Sequence, residues 1–448
     1  MPKAPMPDVV VLIPGITGSR LKRGDHTLWG FAPAVLAKAL LTSGSFCRDL
    51  APEPGDVADA VLPDLTLLPG FWKIDGYTKV MERIQGDFAV EADRNFFVFP
   101  YDWRLDNRIA ARELARRCHG WLGRWRETAK PQAKLILVAH SMGGLVARYF
   151  LEVLEGWKDA RALITFGTPY RGSLNAVDTL LLGMRKGPLD LTAVARKLPS
   201  IYQLLPTYPC LDVGGGQLKR FSEVAHPPHV DTSLVADAQR FHQEIRDAVD
   251  AHLQDSAYRE NRYRVHPVVG IDQTTFQFVR IAGGETTMLA GRDGEDHGGD
   301  GTVPRVSATP IEYQDLDKEM FTSTKHGSLQ NADAVLTQLK GFITRSTIKW
   351  DRYQRAVPGG TVSLTVEDVY WDHEEIVLRA EPAGTAGALY ATVIDSASSM
   401  EVARIELRPD ADGRLSASFG ALAVSAYEVT VSGAGIEPVK DSFVVVDA

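Results

Sequence analysis

Ser141 has the sharpest chemical context in the chain. It lies in KLILVAHSMGGLVARYF, residues 134–150, where an apolar run breaks at Ala139-His140-Ser141-Met142-Gly143 and a helical pattern follows. A small-x-Ser-x-Gly turn between a strand and a helix lifts a serine hydroxyl above a sheet, the nucleophile elbow of α/β-hydrolases. The helix N-terminus then places positive potential below a developing oxyanion. A serine before a helix can also be a plain N-cap; the flanking strand and helix favour the elbow. Acyl transfer needs a second piece, two backbone N–H groups where the tetrahedral oxygen will sit. One is Met142, after the nucleophile. The other comes from a Gly-rich loop after an earlier strand, and Pro14-Gly15-Ile16-Thr17-Gly18-Ser19 fits, with Ile16 as donor and Thr17 beside the substrate.

The acid and base of such a site follow the serine in the chain, acid first. His326, in Thr324-Lys325-His326-Gly327-Ser328, precedes the last helix and suits the general base. His373 lies in a different kind of segment, and His297 precedes the best acid. That acid is Asp300, flanked by glycines in Gly298-Gly299-Asp300-Gly301-Thr302, with Asp293 and Asp296 as rivals and a simple Asp-Gly turn as the bland reading. His140 is read as packing. The histidines show no H-E-x-x-H or paired-cysteine spacing, so no metal is expected. No phosphate-binding glycine loop with a lysine appears, and no cofactor is expected.

The elements around these residues decide whether they can meet. Val9–Ile13, residues 95–100, 134–139 and 162–166 read as strands, with helices at 77–84, 107–126 and 144–154. Such alternation argues a parallel sheet covered on both faces. Residues 24–76 read as irregular and 172–262 as helical pieces only, the best over 234–253. Strands near 265–270 and 276–281 and a helix near 329–343 resume the alternation. From residue 358 seven short alternating runs separated by Gly, Pro, Asp and Ser suggest an immunoglobulin-like β-sandwich. The expected architecture is therefore an α/β-hydrolase domain over residues 1–350, with a lid at about 20–76 and a helical cap at about 172–262. An all-β sandwich follows over 358–448.

Composition bounds the partners. The 448 residues carry a net charge of −8, which disfavours a nucleic-acid binder. Residues 351–448 hold 7 Lys+Arg against 16 Asp+Glu, so the sandwich is acidic; it either docks a protein or stabilises the hydrolase. No apolar run approaches the ~20 residues of a spanning helix, and the N-terminal stretch lacks a signal-peptide pattern. Three cysteines, Cys47, Cys118 and Cys210, do not suggest a disulfide framework. A cytoplasmic protein is expected.

Several segments together resemble the lecithin:cholesterol acyltransferase family. They are PGITGS at 14–19, PYDWR at 100–104, AHSMGG at 139–144, FGTPYRGS at 166–173, GDGTVP at 299–304 and KHGSLQN at 325–331. The resemblance covers roughly residues 8–345. It implies an α/β-hydrolase with cap and lid acting on lipid acyl esters through an acyl-serine, with Ser141, Asp300 and His326 as its triad. It says nothing about the sandwich. Secreted members close the lid loop with a disulfide; residues 20–76 here hold only Cys47, so that bridge cannot form. Within PYDWR, Asp102 and Arg104 read as an ion pair beneath the pocket or, alternatively, as substrate contacts, and Trp103 as core. Phe31, Val35, Leu36, Leu40, Leu41, Phe71 and Trp72 of the lid would touch a membrane surface or an acyl chain, or pack on the cap. Leu180, Leu181, Leu182 and Met184 would line an acyl channel.

The reading is a serine-dependent hydrolase or acyltransferase of lipid esters. Its rivals are a small-ester carboxylesterase and a non-catalytic hydrolase fold whose sandwich recruits partners.

Overall fold

The computed structural model describes residues 3–30, 48–63, 76–128, 130–186, 189–214, 217–224, 229–283, 285–292, 294, 296–313, 319–347, 361–366, 369–383, 387–395, 398, 400–410, 413–434 and 436–446. The chain divides into two compact units, Met1–Ile348 and Lys349–Ala448.

The first unit is built on six parallel strands: β1 (Val9–Ile13), β2 (Phe96–Val98), β3 (Leu135–His140), β4 (Ala160–Phe166), β5 (Arg264–Gly270) and β6 (Met320–Thr322). Their spatial order is β6-β5-β4-β3-β1-β2. The sheet is apolar on both faces because both faces are covered. Val9, Val11 and Ile13 enter one core with Leu114, Cys118 and Leu145. Val10 and Leu12 enter the other with Val80, Ile84, Leu336 and Leu339. Helices α1 (Thr78–Asp87), α2 (Asn107–Glu127), α3 (Met142–Glu152) and α4 (Asp333–Thr347) supply those layers. The chain reverses direction across the sheet between β1 and β3, and the carboxyl ends flanking such a reversal form the crevice where open α/β sheets bind ligands.

Three expectations are corrected. Residues 24–76, read as irregular, contain strands: Ser19–Arg23 pairs antiparallel with both His26–Trp29 and Asp56–Val61. These strands are charged, so hydrophobic alternation is faint. Cross-strand ion pairs hold them instead, Arg20 to Asp59 at 2.7 Å and Arg23 to Asp56 at 2.7 Å. The region 172–262 is not purely helical. Leu211–Asp212 and Leu218–Lys219 join Phe278–Ala282 and Glu285–Leu289 in a separate four-stranded sheet. The expected strand near 276–281 thus leaves the central sheet, whose last strand is β6. Two- and three-residue strands are too short to show a period. The long cap helix is Thr232–Gln254, with the Asp231 carboxylate accepting from the Ser233 and Leu234 N–H groups. Cys118 and Cys210 are free and buried. Cys47 and the lid residues Phe31, Val35, Leu36, Leu40, Leu41, Phe71 and Trp72 lie outside the described residues.

The second unit has two sheets, of four and five strands. Among the described residues the seven runs become nine strands because two of them break, 361–370 into Thr361–Thr365 and Val369–Trp371, and 401–409 into Met400–Glu406 and Arg408–Pro409. Ile376, Leu378, Val393, Phe419, Val429 and Phe443 fill its core. Among the described residues, no helix is long and apolar enough to cross a membrane.

Arg104 ties the small sheet to the loop after β2. Its fully buried guanidinium donates to Asp102 at 2.6 Å and to Asp56 at 2.7 Å, and to the Leu50 carbonyl at 3.1 Å. Burial alone would raise the Asp56 carboxyl, but hydrogen bonds from Arg23 and Arg104 overcome it and hold the group well below the usual carboxylate range. Arg104→Met leaves Asp56 and Asp102 without this cation, so we expect a loss of about 3–5 kcal/mol in urea unfolding. Because the folded pKa of Asp56 lies below its unfolded value of about 3.9, its contribution holds above that pH and fades as pH falls below it. Asp56→Asn should therefore lower stability at neutral pH and flatten the acid-side decline.

Candidate active site

The turn from β3 into α3 holds Ser141 at φ 51°, ψ −126°. A positive φ on a side-chain-bearing residue is strained. Hydrogen bonds fix it: the Ser141 N–H donates to the Phe166 carbonyl at 2.9 Å, and the Thr168 hydroxyl donates to the Ser141 carbonyl at 3.0 Å. Tight packing explains the following glycine. A Cβ on Gly143 would lie 2.3 Å from the Pro14 carbonyl oxygen, so the loop after β1 rests directly on the elbow.

His326 opens the short helical turn that follows β6. Its Nε2 lies 2.9 Å from Ser141 Oγ, and its Nδ1 lies 2.7 Å from Asp300 Oδ2. Asp300 follows β5 and is 1 % exposed. Its other oxygen, Oδ1, accepts the Thr302 and Val303 N–H groups at 2.9 and 2.7 Å, and its carbonyl accepts the His326 N–H at 2.8 Å. A carboxylate so engaged orients the imidazole: Nδ1–H donates to Asp300, and the Nε2 lone pair faces the serine hydroxyl. Gly167, at φ 56°, makes room, since a Cβ there would lie 2.7 Å from Asp300 Oδ2 and 2.8 Å from His326 Nδ1.

The backbone N–H groups of Ile16 and Met142 have no acceptor among the described residues. The loop carrying Ile16 is rigidly held. Tyr101 donates to the Pro14 carbonyl at 3.1 Å, and Trp29 Nε1 to the Thr17 carbonyl at 2.8 Å. Ile16, Ser141, Pro169, Ser173, Leu204 and Val303 line a cleft at the serine. Ile16 and Thr17 also border a wholly apolar cavity with Leu50, Trp103, Met184 and Leu198. Leu181 is buried in the core and does not line that cavity.

His140 is more than packing. Its Nε2 lies 3.1 Å from the His326 carbonyl, which can only accept, so Nε2 carries the proton. Nδ1 then accepts from the Tyr77 hydroxyl at 2.9 Å, and that hydroxyl accepts the Gly15 N–H at 2.8 Å. Burial and the nearby His326 push the His140 pKa down to about 3, which keeps the ring neutral. A continuous chain thus joins the loop of Ile16 to the loop of His326. Sequence reasoning missed Tyr77, which no motif marks. His140 was visible beside the serine, but its partners come from distant segments.

The rival acids and bases lie apart from this constellation. Asp296 accepts from Gln277 at 2.6 Å and from the Gly298 N–H at 2.8 Å, and the His297 N–H donates to Gln277 at 3.3 Å. Asp293 lies outside the described residues. His373 sits in the second unit beside Asp372. Among the described residues no group of three or more His, Cys, Asp and Glu could hold a metal.

Residues 71–255 match the model of the family described as lecithin:cholesterol acyltransferase. That stretch of the chain is similar to the lecithin:cholesterol acyltransferase family. The chain is 31 % identical over 121 residues to the human lysosomal phospholipase A and acyltransferase, covering 24 % of this chain and 27 % of that relative. The chain therefore spans about a quarter of the curated relative it matches. Solved structures similar to it include the mature Bacillus licheniformis lipase BlEst2 (17 % identity, TM-score 0.32, 78 % of this chain and 96 % of that one). Another is phospholipase PlaB from Legionella pneumophila (9 % identity, TM-score 0.27, 98 % and 92 %). The lecithin:cholesterol acyltransferase-like stretch contains Tyr77, Asp102, Arg104 and Ser141. Ile16, Asp300 and His326 lie outside it and are brought to Ser141 by the fold alone.

Tyr77→Phe removes both links of the chain through its hydroxyl and leaves the Gly15 N–H without its acceptor, a loss of about 1–3 kcal/mol expected in thermal or urea unfolding. Folded His140 resists protonation down to about 3 while the unfolded residue titrates near about 6.5. Its contribution to stability therefore holds above the unfolded value and declines as pH falls through that window. The His140 ring resonances in NMR should stay unshifted from about pH 8 to about pH 5.

Proposed function

We propose that the chain is a serine-dependent hydrolase or acyltransferase of lipid acyl esters. The observation that carries this is the line Ser141 Oγ, His326 Nε2, His326 Nδ1, Asp300 Oδ2, with steps of 2.9 and 2.7 Å outside the ring, beside a cleft that Ile16 also lines. In this reading Ser141 Oγ attacks the ester carbonyl carbon while His326 Nε2 takes its proton. The carbonyl oxygen becomes an oxyanion held by the Ile16 and Met142 N–H groups. Asp300 keeps the imidazole in the required tautomer and stabilises its positive charge. Collapse expels the alcohol, which takes the proton from His326, and leaves an acyl-serine. Water or a second alcohol, deprotonated by the same imidazole, then releases the acyl group.

A lipid substrate is favoured by the apolar side chains Leu50, Met184, Leu191 and Leu198, which surround a small cavity of about 20 Å³ beside Ile16 and Thr17 and offer an acyl chain an apolar wall near Ile16. The lecithin:cholesterol acyltransferase-like sequence supports the same class. Thr17 and Met184 then bound the chain near the reacting carbonyl.

Release of fatty acid from phosphatidylcholine liposomes should fall by ~10⁴–10⁶ in kcat for Ser141→Ala and by ~10⁴ for Asp300→Asn, with folding preserved. Unchanged turnover in Ser141→Ala would end the proposal. Turnover of short soluble esters with none on liposomes would replace the lipid substrate with a small ester.

A further inference from the structure

The cap carries a second cavity, of about 690 Å³, that does not include Ser141. Four arginines line it, Arg171, Arg220, Arg240 and Arg246, and among the described residues no Asp or Glu does; Glu312 borders an adjoining pocket that shares Arg171 and Arg246. That concentration stands out in a chain of net charge −8. Two of the four are already neutralised from outside the lining, Arg220 by Glu223 and Arg240 by Asp237, each at 2.8 Å. Among the described residues the other two have no carboxylate partner. Among the described residues Arg246 donates only to the Gln243 side chain, at 2.7 Å. Arg171 makes no side-chain hydrogen bond, and its Nε is buried without an acceptor. The Tyr208 hydroxyl, on the same wall, is also buried and unpartnered. The acids whose fields reach Arg171 are Glu312 and Glu319. Glu312 pairs with Arg148, while Glu319 accepts from the Thr309 hydroxyl and keeps its charge.

Buried donors without acceptors are costly, so a cavity that collects them with unpaired guanidinium groups is suited to an anion that supplies the missing acceptors. Phosphate oxygens accept several donors at once and match the guanidinium fork. Leu205, Phe221, Val235 and Ile311 give the cavity an apolar side as well. We propose that this cavity binds a phosphate monoester, with Arg171, Arg246 and Tyr208 holding the phosphate and the apolar side receiving the organic part. Leu204 lines the cleft at Ser141 while Leu205, Pro206 and Thr207 line this cavity, so one strip of chain separates the two. The proposal does not depend on the role of Ser141.

The test uses the full chain carrying Ser141→Ala, so that no turnover interferes. Inorganic phosphate and glycerol 3-phosphate are titrated by calorimetry. Binding to phosphatidylcholine vesicles is measured with and without phosphatidic acid. The substitutions Arg171→Met and Arg246→Gln should each weaken binding about tenfold or more, while Arg220→Gln has a smaller effect. Arg246 lies on the outer part of a helix, so its variant should keep the parent unfolding midpoint and guards against a folding artefact. Binding of the soluble probes, lost in the variants, identifies a free phosphate ester. Binding only to phosphatidic acid vesicles, lost in the same variants, identifies a lipid phosphate. No binding of any probe, or binding that both substitutions leave unchanged, overturns the proposal.

Discussion

The backbone turn at Ser141 is the constraint on which the rest of the first unit depends. A serine at positive φ stores roughly 1–3 kcal/mol of strain and persists only where its surroundings over-determine it. Here they do so from three sides. Phe166 accepts its N–H, Thr168 donates to its carbonyl, and the Pro14 carbonyl closes over Gly143. Those residues belong to the ends of β4 and β1, the neighbours of β3 in the sheet. The parallel sheet, apolar on both faces, is the rigid frame that keeps these three ends in register.

Every other part of the candidate site hangs from the same edge. Asp300 packs on Gly270 at the end of β5, His326 follows β6 and Ser141 follows β3, so the three proposed triad residues meet at the carboxyl edge of the sheet. Two loops must still be held relative to each other, the one carrying Ile16 and the one carrying His326. Gly15, Tyr77, His140 and His326 connect them through hydrogen bonds of 2.8, 2.9 and 3.1 Å. The chain is buried and neutral, so its geometry is insensitive to pH near neutrality. Arg104 plays the corresponding part for the small sheet, pairing Asp102 after β2 with Asp56.

What could be read from the sequence follows from physical range. Val9–Ile13 and Leu135–His140 are continuous apolar runs because both faces are covered, and such runs are visible locally. The elbow is visible because its small residues are adjacent in sequence. The residue types and chain order around Asp300 and His326 were also legible, although their distances were not. Asp56–Val61 was not legible, because cross-strand charge pairs rather than hydrophobic alternation hold it. Leu211–Asp212 has too few residues to show a period. Tyr77 has no local mark at all, since its importance comes from touching Gly15 and His140 across 62 and 63 residues of chain. Arg171 and Arg246 are likewise ordinary in sequence, and only the fold places them on one cavity.

The central claim is that the fold activates Ser141 as a nucleophile. Labelling with a fluorophosphonate probe and mapping the modified peptide by mass spectrometry tests it most directly, because phosphonylation requires the activated hydroxyl and an oxyanion site but no particular substrate. The account predicts an adduct on Ser141, absent in Ser141→Ala and strongly slowed in His326→Ala. A folded protein that takes no label, with or without detergent, or that is labelled at another residue, would contradict it.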